Sequence, residues 1–388
     1  MRAKDAIKAF ADIAGVNING NNPWDIQVYN QRFYDRLLMD GSLGLGESYM
    51  DGWWDCEQLD EFICRLMRVA LRLREPLFML KHPQILRSLP LFLKKSHMAA
   101  SKASDELRNV SYHYDLGNDL FEAMLDKRMV YSCGYWRNAS SLDEAQEAKL
   151  DLICRKIHLQ PGMRVLDIGC GWGSFLKYAS EHYGIQGVGI TLAENQVELA
   201  RKLCAGLPIE IRLQNYRDLA EKFDRIVSVG MFEHVRPENY STYMTLVAKC
   251  LTQDGLTLLH TIGSRGRFNS GQSWHEKYIF PGGMLPLRKE IAKAAFPFLK
   301  ILDWHVFGEE GEVRPHDYYR TLMVWYNNFK RNWTKISENY QDKAEGKFYR
   351  MWKYYLLSCA GSFRAGASPL WQIVLSKRGY PGIYTPVR

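Results

Sequence analysis

The sequence predicts an α/β protein, a doubly wound, mostly parallel sheet of seven strands joined to a smaller, mainly helical N-terminal domain. Three observations carry this. From Gln160 onward, short apolar runs alternate with helix-like segments, the pattern of a parallel sheet covered by helices. The first run, Val165-Leu166-Asp167-Ile168, leads through glycines at 169, 171 and 173 into a helical stretch, which reads as strand, tight turn and helix N-terminus. At 388 residues the chain also exceeds the usual length of one domain.

In order along the chain, residues 1–97 read as the helical domain, 98–110 as a small, polar linker and 111–388 as the second domain. Pro83 and Pro90 break any long helix near the end of the first. In the second, Arg164–Ile168 is a strand and Ser174–Tyr183 a helix closed by Gly184. Gly187–Thr191 is a strand, and Glu194–Ala205 a helix closed by Gly206. Ile209–Gln214 and Arg225–Val229 are strands and Glu238–Leu251 a helix. Asp254-Gly255 is a turn before the strand Leu256–Ile262. Ile301–Val306 and Trp371–Leu375 complete the strands, with aromatic-rich helices at His316–Trp333 and Glu345–Ala360 between them.

Composition limits the function. Hydrophobic residues make up 46% of the chain and aromatics 13%, enough for a sizeable core. No apolar run approaches the ~18 residues a spanning helix needs, and the N-terminal MRAKDAIKAFADIAGV lacks a signal-peptide core. Eight cysteines without a C-x-x-C pair suggest free thiols in a reducing cytoplasm and no structural zinc. The net charge of +8 is concentrated: Arg65–Val110 holds ten Lys/Arg against three acids, interleaved with leucines and phenylalanines. That composition suits a surface lying on anionic lipid. A solvated helical face or a phosphate-binding patch has the same charge.

The glycine turn brings backbone close to a nucleotide-like cofactor. Its spacing, G-x-G-x-G, is not the dinucleotide fingerprint. A dinucleotide site also expects an acid about 20 residues on, at the end of the second strand, where this chain has Ile190-Thr191. The turn resembles the first motif of the S-adenosylmethionine (SAM)-dependent methyltransferases, whose Rossmann-like sheet the strand pattern matches.

Further blocks sharpen this: Tyr112-His113-Tyr114-Asp115-Leu116-Gly117-Asn118, Tyr131-Ser132-Cys133-Gly134-Tyr135-Trp136, Gly189-Ile190-Thr191-Leu192-Ala193-Glu194-Asn195-Gln196, Gly230-Met231-Phe232-Glu233-His234, His260-Thr261-Ile262-Gly263, the early GSLGLGESYMDGWW and the late YYLLSCAGSFR. Together they resemble, over nearly the whole chain, the family of cyclopropane-fatty-acyl-phospholipid and mycolic acid cyclopropane synthases. The resemblance implies SAM as methyl donor. Gly169 and Gly171 would line the turn, Thr191 and Gln196 contact the cofactor, Tyr216 lie by the adenine, and Tyr131 and Ser132 reach in from the preceding segment. Asn215 departs from the family, which often has Asp there.

The reaction so implied adds the methyl carbon to a cis double bond of a membrane phospholipid acyl chain and closes a cyclopropane ring. Ring closure removes a proton from the transferred methyl, so a base must be held rigidly in a dry site. The resemblance implies that this base is a bound bicarbonate, held by the backbone of Cys133 and Ile262 and the side chains of Glu233, His260 and Tyr326, with no metal. It also implies a homodimer on the inner face of the membrane, with unsaturated phospholipid and not nucleic acid as partner. Simple methylation of a lipid or small molecule, a nucleic-acid methyltransferase and a non-catalytic lipid binder are the other readings. The chain contains neither [D/N]-P-P-[Y/F] nor Pro-Cys, elements associated with base methylation.

Overall fold

A computed structural model describes residues 3–73, 75–82, 117–266, 273–307, 317–340 and 346–388. The chain forms two compact units. One comprises Met1–Ala103, Arg267–Pro281 and Tyr318–Ala367; the other comprises Ser104–Gly266, Gly282–Asp317 and Ser368–Arg388. The first unit therefore takes in two segments that the sequence division left in the second domain. The expected linker, 98–110, and most of the basic segment lie outside the described residues.

Among its described residues the first unit forms helices and a short antiparallel pair, β1 (Gln27–Val28) and β2 (Trp54–Asp55). Local chemistry explains why the late helices belong to it. Gly361, on the helix Lys347–Arg364, lies so close to the helix Leu59–Arg72 that a Cβ there would stand 2.3 Å from the Asp60 carbonyl. Arg350 donates to the carbonyls of Tyr49 and Trp54 and to the Asp55 carboxylate. The glycine-rich block gains a physical reason as well. A Cβ on Gly44 would meet the Arg36 carbonyl at 2.4 Å, and one on Gly46 would meet the Trp274 ring at 2.2 Å. Glu47 beside them accepts from Arg36, Lys277 and Tyr278.

The second unit holds the seven-stranded sheet, in the order β5-β4-β3-β6-β7-β9-β8. Its strands are β3 (Arg164–Ile168), β4 (Gln186–Thr191), β5 (Ile209–Leu213), β6 (Phe223–Val229), β7 (Leu251–Ile262), β8 (Leu299–Val306) and β9 (Leu370–Lys377). β3 to β7 pair in parallel, and β9 runs antiparallel between β7 and β8. Alternate residues supply the two faces: Leu166, Ile168 and Ile226 join one core, Val165 and Val227 the other. A sheet covered on both faces reads as continuous apolar runs for this reason. The chain builds outward from β3 to β4 and β5, then returns to β6 on its other side. The β3/β6 boundary is thus the switch point where open α/β sheets bind ligands.

Most element boundaries shift by a few residues from the sequence reading: the helix expected at 194–205 ends at Leu203, the one expected at 345–360 runs from Lys347 to Arg364, and the strands expected at 225, 256 and 301 begin at Phe223, Leu251 and Leu299. The helix expected at 238–251 starts at Tyr240, after a 3₁₀ turn at Pro237–Asn239. The Asp254-Gly255 turn lies within β7, whose register jumps from Phe223↔Leu251 to Arg225↔Leu256. The helix expected at 316–333 stops at Arg331, and a second begins at Trp333.

Candidate active site

The turn after β3 is set by its glycines. Gly169, Gly171 and Gly173 have φ of 81°, 54° and 81°, values that side chains with a Cβ rarely adopt. The N–H groups of Gly169 and Cys170 both donate to the Ile190 carbonyl, at 2.9 and 3.0 Å, tying the turn to β4. A Cβ on Gly169 would stand 2.7 Å from Met231, whereas one on Gly171 would meet nothing within 4 Å. The turn is therefore packed behind Gly169 and open at Gly171.

That opening is a cleft lined by Tyr131, Ser132, Lys149, Asp167, Gly169, Gly171, Thr191, Gln196, Gln214, Tyr216, Met231 and His234, among others. All seven residues expected around a cofactor (Tyr131, Ser132, Gly169, Gly171, Thr191, Gln196 and Tyr216) stand on it. Thr191 donates from Oγ1 to Gln196 Oε1 at 2.6 Å, so one hydrogen bond joins the end of β4 to the following helix. Asn215 accepts the Arg217 N–H and caps the turn carrying Tyr216, so the amide still serves as a cap.

Two groups in the cleft had no role in the sequence reading. Lys149 is fully buried and donates to Ser132 Oγ at 2.6 Å, and burial pulls its pKa down to about 8. Asp167 is buried with Oδ1 unpartnered among the described residues, and burial pushes it up to about 7. The signal for Lys149 was a broken pattern. On the helix Leu142–Lys156, Gln146, Lys149 and Lys156 fall at helical spacing on a face otherwise filled by Leu142, Leu150 and Ile153. Gln146 Nε2 supports the same loop, donating to the Ser132 carbonyl at 2.8 Å.

Four of the five residues expected to hold the base belong to the sheet unit. Val229, at the end of β6, pairs with His260 on β7. From there β6 turns into the segment carrying Glu233, whose Oε1 accepts the Ile262 N–H at 2.7 Å. Glu233 Oε2 and His260 Nε2 are both buried without a partner among the described residues. Burial pushes Glu233 up to about 7. Burial, with the charges of Lys149 and Lys156, drives His260 well below its usual range. Cys133 is fully buried, and its thiol donates to the Gly134 carbonyl at 3.1 Å. The Ile262 N–H serves Glu233 and its carbonyl accepts from Thr261, so both its backbone groups have protein partners. Tyr326 lies on the helix Asp317–Arg331 of the first unit.

A glycine-turned cleft at the switch point fits the cofactor site of an S-adenosylmethionine-dependent methyltransferase, and the chain's relatives place it in that class. The chain belongs to the mycolic acid cyclopropane synthetase family, whose model matches residues 101–373. It is 48% identical over 364 residues to the cyclopropane-fatty-acyl-phospholipid synthase of Escherichia coli K12, covering 94% of this chain and 91% of that protein. The cyclopropane synthase MmaA2 from Mycobacterium tuberculosis superposes with a TM-score of 0.62 at 31% identity, over 71% of this chain and all (100%) of that one. The mycolic acid cyclopropane synthase CmaA1, complexed with SAH and CTAB, gives 0.62 at 33% identity over the same 71% and 100%. These relatives make the protein an enzyme of SAM-dependent cyclopropanation.

Proposed function

We propose that the protein adds the methyl carbon of SAM across the cis double bond of unsaturated acyl chains in membrane phospholipids and closes it to a cyclopropane, with bicarbonate as general base. The observation that carries the base is the pair of buried atoms without partners among the described residues, Glu233 Oε2 on the 3₁₀ turn after β6 and His260 Nε2 on β7. One is an acceptor. The other, on a neutral ring, is a donor when it bears the proton. An anion with one O–H matches such a pair. Bicarbonate, when bound, would supply the acceptor for the methyl proton; Glu233, His260 and the Cys133 backbone are the groups of the sheet unit that would hold it.

The cofactor would lie in the cleft, with Gly169 and Gly171 against its amino-acid end and Tyr216 by the adenine. SAM supplies the electrophilic methyl. The chain's own part is to hold the loop Tyr131–Ser132 through Gln146 and Lys149 and to keep the base site dry. Lys149 lines the cleft and its charge acts on both Cys133 and His260, so the two clusters share one electrostatic field.

The phospholipid substrate is supported by the 48%-identical relative, whose name includes it. Among the described residues no helix is long and apolar enough to cross a membrane. Docking would fall to the basic, leucine-rich segment from Arg65 to Val110, on the membrane's inner face and in a homodimer. The test is direct. Incubated with SAM and vesicles of monounsaturated phospholipid, the protein should yield acyl chains one CH₂ heavier that lack alkene protons by NMR. A methyl-branched product that keeps its alkene would overturn ring closure.

A further inference from the structure

We propose that Gln372 is a positioning residue that fixes the tautomer of His260; the proposal rests on the reading of His260 as an anion holder. β9 places Gln372 directly opposite His260 on β7 and opposite His305 on β8. Partners in register share a face, so the three polar side chains form one row across β7, β9 and β8. Gln372 is fully buried between Trp371 and Ile373. A buried amide in such a strand is unfavourable unless it is hydrogen-bonded. Its Nε2 lies 3.2 Å from His260 Nδ1.

The direction of that bond decides the ring's chemistry. With the amide turned so that its Nε2 faces the ring, leaving its Oε1 buried without a partner among the described residues, it donates, Nδ1 accepts and the ring proton resides on the ring's Nε2. Nε2–H then faces the base site as a donor. In the other tautomer a lone pair would face the same place and repel an anion. The same arrangement recurs one strand over. Lys156 Nζ, which can only donate when charged, lies 2.7 Å from His305 Nδ1, so that ring too carries its proton on Nε2. Phe307 packs edge-on against His260, with centroids 5.5 Å apart, and lies 4.9 Å from His305, limiting rotation of both. Burial, with the neighbouring charges of Lys149 and Lys156, favours the neutral ring of His260, so the tautomer, not the charge, remains to be set.

Two variants of the full-length protein test this. Gln372→Met removes the donor without adding charge. Gln372→Glu supplies an acceptor and should move the proton to Nδ1. ¹⁵N NMR of the histidine rings, with His260 assigned by the signals missing from His260→Asn, should show wild-type Nε2 as the protonated nitrogen and Gln372→Glu reversed. Turnover should fall about 10- to 100-fold in both, as it does when an outer partner of a working histidine is removed. SAM affinity by calorimetry should be unchanged and thermal melts should confirm folding. An unaltered His260 pattern in Gln372→Glu, or protonated Nδ1 in the wild type, overturns the proposal. A reversed pattern with full turnover leaves Gln372 as the tautomer-setting group and overturns instead the role of His260 in catalysis.

Discussion

Glu233 accepts the backbone N–H of Ile262 through Oε1 at 2.7 Å, fastening the segment after β6 to the end of β7. One oxygen is thereby structural and the other, Oε2, is left buried without a protein partner among the described residues. Burial moves the carboxyl from its ordinary 4.5 up to about 7. Across that window the unfolded chain has released a proton that the folded chain retains, so native stability falls as pH rises from about 4.5 to 7. Glu233→Gln keeps the acceptor and removes the charge. Relative to wild type it should gain up to about 3 kcal/mol between pH 4 and pH 8. Denaturant unfolding at the two pH values measures this; a pH-independent difference would refute the buried-charge argument.

Glu233→Ala and His260→Ala should lower turnover by roughly 10²- to 10⁴-fold, the usual range for proton-transfer machinery. SAM affinity should change little, because neither residue is on the glycine turn. His260→Ala should recover partly at high bicarbonate if lost anion binding is the defect. Parallel loss of turnover and affinity would make these residues part of the cofactor site.

Lys149 places a positive charge in the cleft while it keeps its proton, below about pH 8. That charge disfavours the sulfonium of SAM relative to the neutral thioether of its demethylated product. Lys149→Met should therefore shift the ratio of affinities toward SAM by about tenfold, from roughly 1 kcal/mol of Coulomb energy in a partly polar interior. Calorimetric titration of both ligands reads the ratio. In wild type the preference should relax as pH rises through about 8, and in the variant it should be flat.

Gly46→Ala tests the helical unit. Its new Cβ would stand 2.2 Å from the Trp274 ring, and Trp274 is itself fully buried. Overpacking of this kind destabilises by about 1–3 kcal/mol. Gly52→Ala is the contrast: its Cβ would meet nothing within 4 Å, but its φ of 69° strains any side chain, so a smaller loss of about 1 kcal/mol is expected. Thermal unfolding of both separates crowding from backbone strain.

Replacing Arg72, Arg74, Lys94 and Lys95 with neutral residues should weaken binding to anionic vesicles and activity on them. Each basic residue near a membrane surface contributes at most ~1 kcal/mol, and the effect is screened by salt. Activity on detergent-dispersed lipid should suffer much less. Sedimentation with vesicles at low and high salt checks this, and equal binding by both proteins would assign the charge to a solvated face.

The sheet and its glycine turn were legible in the chain because both depend on local rules. Period-two and period-3.6 patterns locate strands and helices, and positive φ at 169, 171 and 173 requires glycine. Strand ends were legible too, since a parallel sheet gathers its ligands there, while Tyr131, Ser132, Thr191, Gln196 and Tyr216 were named from the family resemblance. Tertiary structure alone decided the rest. Sequence order put residues 318–367 with the sheet, but the close approach at Gly361 and the clamp of Arg350 place them with the N-terminal helices. Gln372 and Lys149 read as blemishes in an apolar strand and an apolar helix face. Only the pairing of β9 with β7, and of the helix Leu142–Lys156 with the loop at Ser132, turns them into partners of His260 and Ser132. A buried polar residue acquires meaning from the group that satisfies it, and here that group is more than a hundred residues away for Gln372 and in a different element for Lys149.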